Sequence, residues 1–223
     1  AFIAQHFGIN DLDVVAALAE SLDVSDDRDS YTAMTSAQAL VALQPDNPVV
    51  LAYLRDLAQA DRPYARVLAA AVHGRLTGKP DVALTTLKSV IGGSDKDERE
   101  AAIMAAALLG PAGVELLPLI KPDTNDRFPW APMHAIRTRW TLAGKPDQHL
   151  AWAVSELRHR STNNSPDEAA KTLAILGPMA DPQTPAIASV LDEFVPFANY
   201  NRWHATVVLR GIGPTANTRE ALP

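Results

Sequence analysis

Six histidines are the residues of this 223-residue chain best suited by type to metal binding or acid–base catalysis. They are His6, His73, His134, His149, His159 and His204. No two of them are separated by the three residues that place a metal-binding pair on one helix face, and the chain has no cysteine. A glycine-rich phosphate loop and a nucleophile elbow are also absent from the sequence. The sequence therefore predicts a non-catalytic protein without a metal site or cofactor.

Two further sets of residues recur at intervals of 33 residues. The first set is Tyr53, Thr86, Leu119 and Trp152, and the second is Arg55, Lys88 and Lys121. If each set lies at one position of a repeated helix, the two sets form an aromatic and a basic row along one surface. Aromatic and basic side chains are common anchors of protein interfaces. The rows predict a binding groove for a protein partner, and a solvated rim is the alternative.

The connection between residues 121 and 132 contains Phe128 and Trp130 beside an arginine, among three prolines. Such a loop is stiff and presents two aromatic side chains, which favours a role in anchoring a partner. The alternative is that Phe128 and Trp130 fill the gap between two neighbouring repeats.

These residues are positioned by a repeat that is visible as a bulky apolar residue followed at once by a turn. The anchors are Phe7, Leu43, Leu76, Leu109, Leu142, Leu176 and Ile212. Successive anchors are 36, 33, 33, 33, 34 and 36 residues apart. A fixed period in this range is typical of arrays in which each unit buries its apolar face against its neighbours.

Each unit has the same internal pattern around its anchor. The residue seven positions earlier is small in six units: Ser36, Ala69, Ala102, Ala135, Ala169 and Ala205. Glycine, proline and aspartate follow the anchor, and apolar residues recur eight and eleven positions beyond it. These features predict a helix, a tight turn and a second helix. We therefore predict an all-α, right-handed α-solenoid of stacked antiparallel helix pairs.

The runs SAQALVALQPDNPVVLAYL, EAAIMAAALLGPAGVELLPLI and DEAAKTLAILGPMADPQTPAIASVL resemble short bacterial HEAT repeats of the type found in phycobilin-lyase-like proteins. The resemblance covers residues 1–215 and implies a binding scaffold whose second helices line the concave side. We interpret residues 1–223 as a single HEAT-like array of about six repeats with partial ends. We expect the chain to be a segment of a longer protein, and a complete protein with frayed ends is the alternative.

The negative charge of the chain is concentrated at its beginning. Residues 1–34 contain seven acidic residues and one basic residue, whereas the remaining 189 residues contain 19 of each. No basic stripe of the kind that nucleic-acid binding requires is visible, and no apolar run is long enough to span a membrane. The acidic opening repeat suits a basic partner or a preceding repeat. Absence of cysteine fits either redox compartment, and we favour the cytoplasm.

The function that the sequence predicts is a non-catalytic scaffold that binds a protein, or another part of its own polypeptide, along the concave face. Two enzymes are the alternatives. A cluster of Trp140, Trp152, Arg137, Arg139, Arg158 and Arg160 resembles the aromatic and basic groove of HEAT-like DNA glycosylases. Bilin lyase activity is suggested by the repeat resemblance alone.

Overall fold

The computed structural model describes residues 12–23, 30–123, 130–157, 165–192 and 198–214. Within these ranges the regular secondary structure is entirely helical, which confirms the predicted all-α class. The chain divides into two compact units, residues 1–120 and 121–223. Each unit is described by itself.

The helices of the first unit are α1 (Leu12–Glu20), α2 (Ser30–Leu43), α3 (Pro48–Leu57), α4 (Pro63–Thr77), α5 (Asp81–Ile91) and α6 (Lys96–Ala106), followed by a 3₁₀ segment (Ala107–Leu116). Those of the second unit are α7 (Trp130–Ala143), α8 (Leu150–Glu156), α9 (Ser165–Leu176), α10 (Thr184–Asp192) and α11 (Ala198–Ile212). A second 3₁₀ segment, Gly177–Gln183, connects α9 to α10. None of the helices in the described ranges has the length and hydropathy needed to cross a membrane.

The predicted junctions coincide with a repeated backbone feature, a single residue of positive φ after each anchor. In the described ranges the residues with positive φ are Gln44, Gly78, Gly110, Gly144, Gly177 and Gly213. They are 34, 32, 34, 33 and 36 residues apart, which matches the period of the sequence. A left-handed residue ends a helix and turns the chain toward the next one. The predicted junction at Phe7 lies outside the described residues.

Helix starts follow from side chains that cap free backbone N–H groups. The Asn47 side chain accepts hydrogen bonds from the backbone N–H groups of Val49 and Val50, at 2.9 and 3.2 Å, where α3 begins with proline. Asp95 accepts from the N–H groups of Asp97 and Glu98 at the start of α6, both at 3.0 Å. These caps satisfy donors that have no partner within the helix.

The first helix of each pair packs against the first helix of the next pair in the same unit: α2 against α4, α4 against α6, α7 against α9, and α9 against α11. The six small residues seven positions before the anchors are all buried. The residues eleven positions beyond the anchors Leu43, Leu76, Leu109 and Leu142 are also buried: Leu54, Leu87, Ile120 and Ala153. Small side chains let neighbouring helices approach closely, so the repeat pattern is a packing pattern.

The sequence prediction of a second α-helix after Leu109 is wrong in one detail. Residues Ala107–Leu116 form a 3₁₀ segment with a kink at Gly110, where φ is 58° and ψ is −131°. Pro111 follows the kink and has no backbone N–H to continue an α-helical hydrogen-bond ladder. The φ of Gly110 favours glycine, and a Cβ there would lie 2.9 Å from Nη1 of Arg75, whose flexible side chain would have to shift.

Candidate functional site

The predicted aromatic row begins at Tyr53, which is half-buried on α3. Burial raises the pKa of its hydroxyl, the negative charges of Asp23 and Glu20 raise it further, and Arg62 opposes them. Asp23 forms an ion pair with Arg62. Tyr53 therefore lies beside the acidic end of α1 and keeps its proton as a hydrogen-bond donor.

The predicted basic row is exposed, but two of its charges have acidic neighbours. Arg55 pairs with Asp56, with Nη2 2.9 Å from Oδ1. Lys88 Nζ donates to Glu115 Oε2 at 2.6 Å, which links α5 to the 3₁₀ segment after α6. Lys121 is exposed. Because Arg55 and Lys88 are partly neutralised, the row is not a strongly basic stripe.

The predicted aromatic anchors of the second unit have different outcomes. Trp152 is half-buried on α8 and packs against the apolar core of that unit. Trp130 is the first residue of α7. Phe128 lies outside the described residues. Trp152 thus contributes to the core of its unit as well as to its surface.

The structure exposes a set of large apolar residues in the first unit, of which the sequence analysis named only Leu119. We call this set the apolar surface: Leu12, Val49, Val82, Val114 and Leu119. Val49 and Val82 each stand six residues after an anchor and are 73 % and 61 % exposed. In the described part of residues 1–120, all exposed large apolar side chains belong to this set. The sequence signal for Val49 and Val82 is an apolar residue in the first turn of a second helix. It lies at a position other than the buried ones eight and eleven residues after the anchor.

A network of ionisable side chains in the second unit was also missed. We call it the polar seam: His134, Arg137, Asp167, Glu168, Lys171 and His204. Glu168, on α9, accepts hydrogen bonds from Arg137 Nη2 on α7 and from Lys171 Nζ, the latter at 2.9 Å. His134 Nε2 lies 3.3 Å from the same carboxylate. The seam therefore joins α7 to α9.

The polar seam continues from α9 to α11. Lys171 Nζ lies 2.7 Å from Asp167 Oδ2, and His204 Nε2 on α11 lies 3.3 Å from Asp167 Oδ1. Lys171 thus bridges Asp167 and Glu168. With both histidines neutral, the two carboxylates are balanced by Arg137 and Lys171.

Electrostatics favour the ionised forms of Glu168 and Lys171. Burial opposes the charge of Glu168, whose side chain is 15 % exposed, but the hydrogen bond with His134, the charge of Arg137 and the hydrogen bond with Lys171 outweigh it. They hold the pKa of Glu168 well below its usual range. Burial lowers the pKa of Lys171, but its bonds to Asp167 and Glu168 produce a net rise. These groups are held as ion pairs rather than poised for proton transfer at neutral pH.

The signal that predicts the polar seam is the position eight residues before the anchor. In the first unit this position holds Thr35, Leu68 and Ala101, of which Leu68 and Ala101 are buried and Thr35 is half-buried. In the second unit it holds His134, Glu168 and His204. In the part of the chain that the structure describes, no group of three or more histidine or acidic residues is arranged to hold a metal ion. The cations Arg137 and Lys171 supply the positive charge that the carboxylates require.

A second polar cluster fixes the turn after α7. Asp147 accepts hydrogen bonds from Arg139 Nε at 2.7 Å, from the Trp140 indole N–H at 3.0 Å and from the His149 backbone N–H at 3.1 Å. His149 Nδ1 lies 2.9 Å from the same carboxylate. Burial opposes the charge of Asp147, but these hydrogen bonds hold its pKa well below the usual range.

These contacts account for the described residues that suggested a DNA glycosylase. Trp140 is only 2 % exposed. Arg137 and Arg139 are bound to carboxylates on their own unit. Arg158 and Arg160 lie outside the described residues. The described cluster therefore stabilises the unit internally and gives no support to an open groove for DNA.

No family model, no curated protein and no solved structure matches this chain. The likeness to HEAT repeats consequently stays a prediction from the sequence pattern.

Proposed function

We propose that this protein is a non-catalytic helical-repeat scaffold that binds a protein partner through the second helices of its first unit. The observation that carries the proposal is the apolar surface, whose five large apolar residues are exposed, with Val49 and Val82 in the first turns of α3 and α5. Exposed apolar residues that recur at equivalent positions of a repeat and form one patch are typical of interaction surfaces.

The scaffold that we propose is an α-solenoid of HEAT type. Two findings support it: the positive-φ residues recur at the period of the sequence, and first helices of successive pairs pack on each other within each unit. In such an array, equivalent residues of successive second helices lie side by side. Val49 and Val82 would then belong to one continuous row, which Val114 extends.

Charged residues around this row provide the polar rim that a protein interface needs. Arg55 and Lys88 are exposed on α3 and α5, the helices that carry Val49 and Val82. Protein interfaces combine an apolar centre with a polar, hydrated periphery. The half-buried aromatic residue Tyr53, also on α3, fits the role of an anchor of the surface.

The test is affinity capture with variants of the apolar surface. We expect the double variant Val49→Asp/Val82→Asp to lose the partners that the wild-type chain retains from an extract of its source, measured by quantitative mass spectrometry. Both side chains are exposed, so the fold should tolerate the change. The matched control is Gln38→Asp/Ala42→Asp, at exposed positions on the first helix α2.

Loss of the same partners in the control, or their full retention by the Val49→Asp/Val82→Asp variant, would contradict the proposal.

Trp152→Ala and Trp130→Ala test a separate contribution from the second unit. If both of these variants retain every partner, the second-unit aromatics are not binding anchors, whereas the role of the first unit stands.

A further inference from the structure

Acidic side chains accompany the exposed valines of the apolar surface. Asp46 precedes Val49 by three residues, and Asp81 directly precedes Val82. All four of these residues are exposed. The starts of α3 and α5 therefore each present one large apolar group and one negative charge to solvent.

The same combination recurs in the following repeat. Val114 and Glu115 are adjacent and exposed in the 3₁₀ segment after α6. Lys88 of α5 donates to Glu115, so α5 and the 3₁₀ segment lie side by side, as successive second elements of a repeat array do. The pairing of an apolar with an acidic side chain thus recurs at three successive junctions.

Helices α3 and α5 are internal elements of the first unit. Helix α3 packs against α1 and α4, and α5 packs against α4, α6 and the 3₁₀ segment. Elements that come earlier and later in the chain therefore flank both helices. Because Val49 and Val82 remain exposed within this packing, they belong to the outer face of the unit and not to an end of the array.

The first unit also carries the negative charge of the chain. Residues 1–120 contain 16 acidic and 9 basic residues, a net charge of −7, whereas residues 121–223 contain 10 acidic and 11 basic residues, a net charge of +1. A negatively charged surface is repelled by the phosphates of nucleic acids and by anionic lipid headgroups. The ligand that it suits is a basic segment of a protein.

The charge is negative around the valines themselves. Within five residues of the three valines of the apolar surface there are three acidic residues and one basic residue, Lys79. The basic residues of α3 and α5 are Arg55 and Lys88, and each is bound to a carboxylate. The apolar groups are therefore edged by more negative than positive charge.

The spacing of repeated helices decides the form of the basic segment. Packed helices lie about 8–10 Å apart. On a partner helix, residues seven positions apart share one face and lie about 10.5 Å apart, so apolar residues with this spacing can contact Val49 and Val82 together. An extended peptide covers about 10 Å in three residues, but its first and fourth side chains point to opposite faces. A helix matches the spacing of the valines, whereas a strand does not.

We propose that the partner of the apolar surface is a basic amphipathic helix. Its apolar residues cover Val49 and Val82, and its lysine or arginine side chains face Asp46 and Asp81. The inference rests on the proposed function, because it names the class of partner for the same surface. Apolar burial supplies most of the affinity, and the opposite charges select this kind of helix and accelerate its association.

The test uses a fluorescein-labelled synthetic helical peptide of about 20 residues, which is about 30 Å long. Leucines form one face at heptad spacing, and lysines line both sides of that face. A second peptide has glutamate in place of every lysine. Fluorescence anisotropy with the full chain should show that the lysine peptide binds about tenfold more tightly or better. Raising the salt concentration from about 0.02 M to 0.2 M should weaken its binding.

Charge variants of the chain locate the attraction. Asp46→Asn/Asp81→Asn should weaken binding of the lysine peptide about fivefold, because two exposed ion pairs are lost. The matched control is Asp61→Asn/Asp97→Asn, which removes the same charge from exposed positions between α3 and α4 and on α6. This control should bind the peptide like the wild type. Circular dichroism establishes that each variant is folded.

Val49→Ser/Val82→Ser removes apolar contact without a change of charge, and should weaken binding of the lysine peptide about tenfold or more. Binding that survives this variant, or that is equal for the two peptides, overturns the proposal. A lysine peptide that fails to bind up to about 1 mM overturns it as well. If Asp46→Asn/Asp81→Asn and its control weaken binding equally, the attraction comes from net charge alone and the proposal is wrong.

These results are separable from the test of the proposed function. If Val49→Asp/Val82→Asp loses its captured partners but the lysine peptide does not bind, the apolar surface is an interaction site for another class of partner. If that variant keeps all of its captured partners, the proposed function fails whatever the peptides do.

Discussion

The tetrapeptide Gly-Lys-Pro-Asp occurs in both units, at residues 78–81 and 144–147, and makes the same turn in two different environments. The first glycine has a φ of 66° in the first unit and 65° in the second. Asp81 is exposed. Its equivalent, Asp147, accepts hydrogen bonds from Arg139, Trp140 and His149. Identical turn residues therefore give the same positive φ at the glycine, but α5 begins at Asp81 itself whereas α8 begins three residues after Asp147.

The difference arises from residues outside the turn. The positions of Trp140 and His149 are occupied in the first unit by Gly74 and Ala83, 66 residues earlier. A Cβ on Gly74 would lie 3.1 Å from the Cβ of Ala83 and 3.3 Å from the Cα of Pro80. In the first unit the turn thus packs directly against the backbone at Gly74. In the second unit it packs against the Trp140 indole and is fixed by the hydrogen bonds of Asp147. The first unit is held here by close apolar packing and the second by charge-assisted hydrogen bonds.

The largest effect that we expect is from Trp140→Ala. Truncation of this buried ring should lower the free energy of unfolding of the second unit by about 4 kcal/mol, from lost burial and the cavity left behind. Urea unfolding followed by far-ultraviolet circular dichroism measures the change. Trp140→Phe keeps most of the ring and should lose about half as much. A cost below 1 kcal/mol for Trp140→Ala would show that the turn does not depend on the indole.

The position eight residues before the anchor gives the next comparison. Glu168→Ala should cost about 3 kcal/mol, because it leaves Arg137 and His134 without their carboxylate. Leu68→Ala, at the same position in the first unit, should also cost about 3 kcal/mol, but by forming a cavity. The two penalties should separate on acidification, measured by urea unfolding at pH 7 and pH 3.5. At pH 3.5 the penalty of Glu168→Ala should be smaller than at pH 7, whereas that of Leu68→Ala should be unchanged. If both penalties changed equally with pH, loss of a charge interaction and formation of a cavity could not be their separate causes.

The two aspartates of the repeated turn give a smaller effect. Asp147→Ala should lower the free energy of unfolding by about 2 kcal/mol, because partly buried donors on Arg139, Trp140 and His149 lose their acceptor. Asp81→Ala should change it by less than about 0.5 kcal/mol, since Asp81 is exposed. Thermal unfolding of the two variants side by side is the measurement. If Asp147→Ala and Asp81→Ala lowered the free energy of unfolding equally, the aspartate would act on the turn backbone and not through the hydrogen bonds of Asp147.

The sequence alone predicts the backbone of this protein well, because the features that end and start helices are local. A small residue before the anchor and a positive-φ residue after it mark each described junction, and the capping side chains of Asn47 and Asp95 mark the starts of α3 and α6. The roles of Trp140 and Glu168 were not predicted, because each depends on residues in other helices. Arg55 and Lys88 are exposed. The partial neutralisation of Lys88 depends on Glu115, which lies 27 residues away in the sequence.

The smallest effects concern the turn backbone. Gln44 has a φ of 48°, where most described junctions have glycine. Gln44→Gly should therefore raise the melting temperature slightly. It relieves about 1 kcal/mol of strain from the left-handed backbone, but the greater chain entropy of glycine in the unfolded state offsets part of this gain. Gly78→Gln should lower stability by about 1 kcal/mol, although the space around Gly78 is open. Differential scanning calorimetry should show a higher melting temperature for Gln44→Gly and a lower one for Gly78→Gln. Shifts in the same direction would contradict a common backbone requirement at the two turns.

The most direct test of the contrast between the units is the acid stability of the second unit. All four tryptophans lie in residues 121–223, so their fluorescence reports unfolding of that unit. The folded pKa values of Asp147 and Glu168 are below their ordinary values of 3.8 and 4.5. The unfolded chain therefore binds protons more readily at these groups, and the stability that they contribute is full above about pH 5 and is lost as pH falls further.

The measurement is urea unfolding by tryptophan fluorescence at pH 5.5 and pH 3.5, in the wild type and in Asp147→Asn/Glu168→Gln. At both pH values most histidines with ordinary pKa values are charged, so the carboxylates dominate the difference. The wild-type midpoint should fall substantially between the two pH values, and the double variant should lose most of that fall. An equal fall in both proteins would contradict the account that ionised Asp147 and Glu168 hold the second unit together.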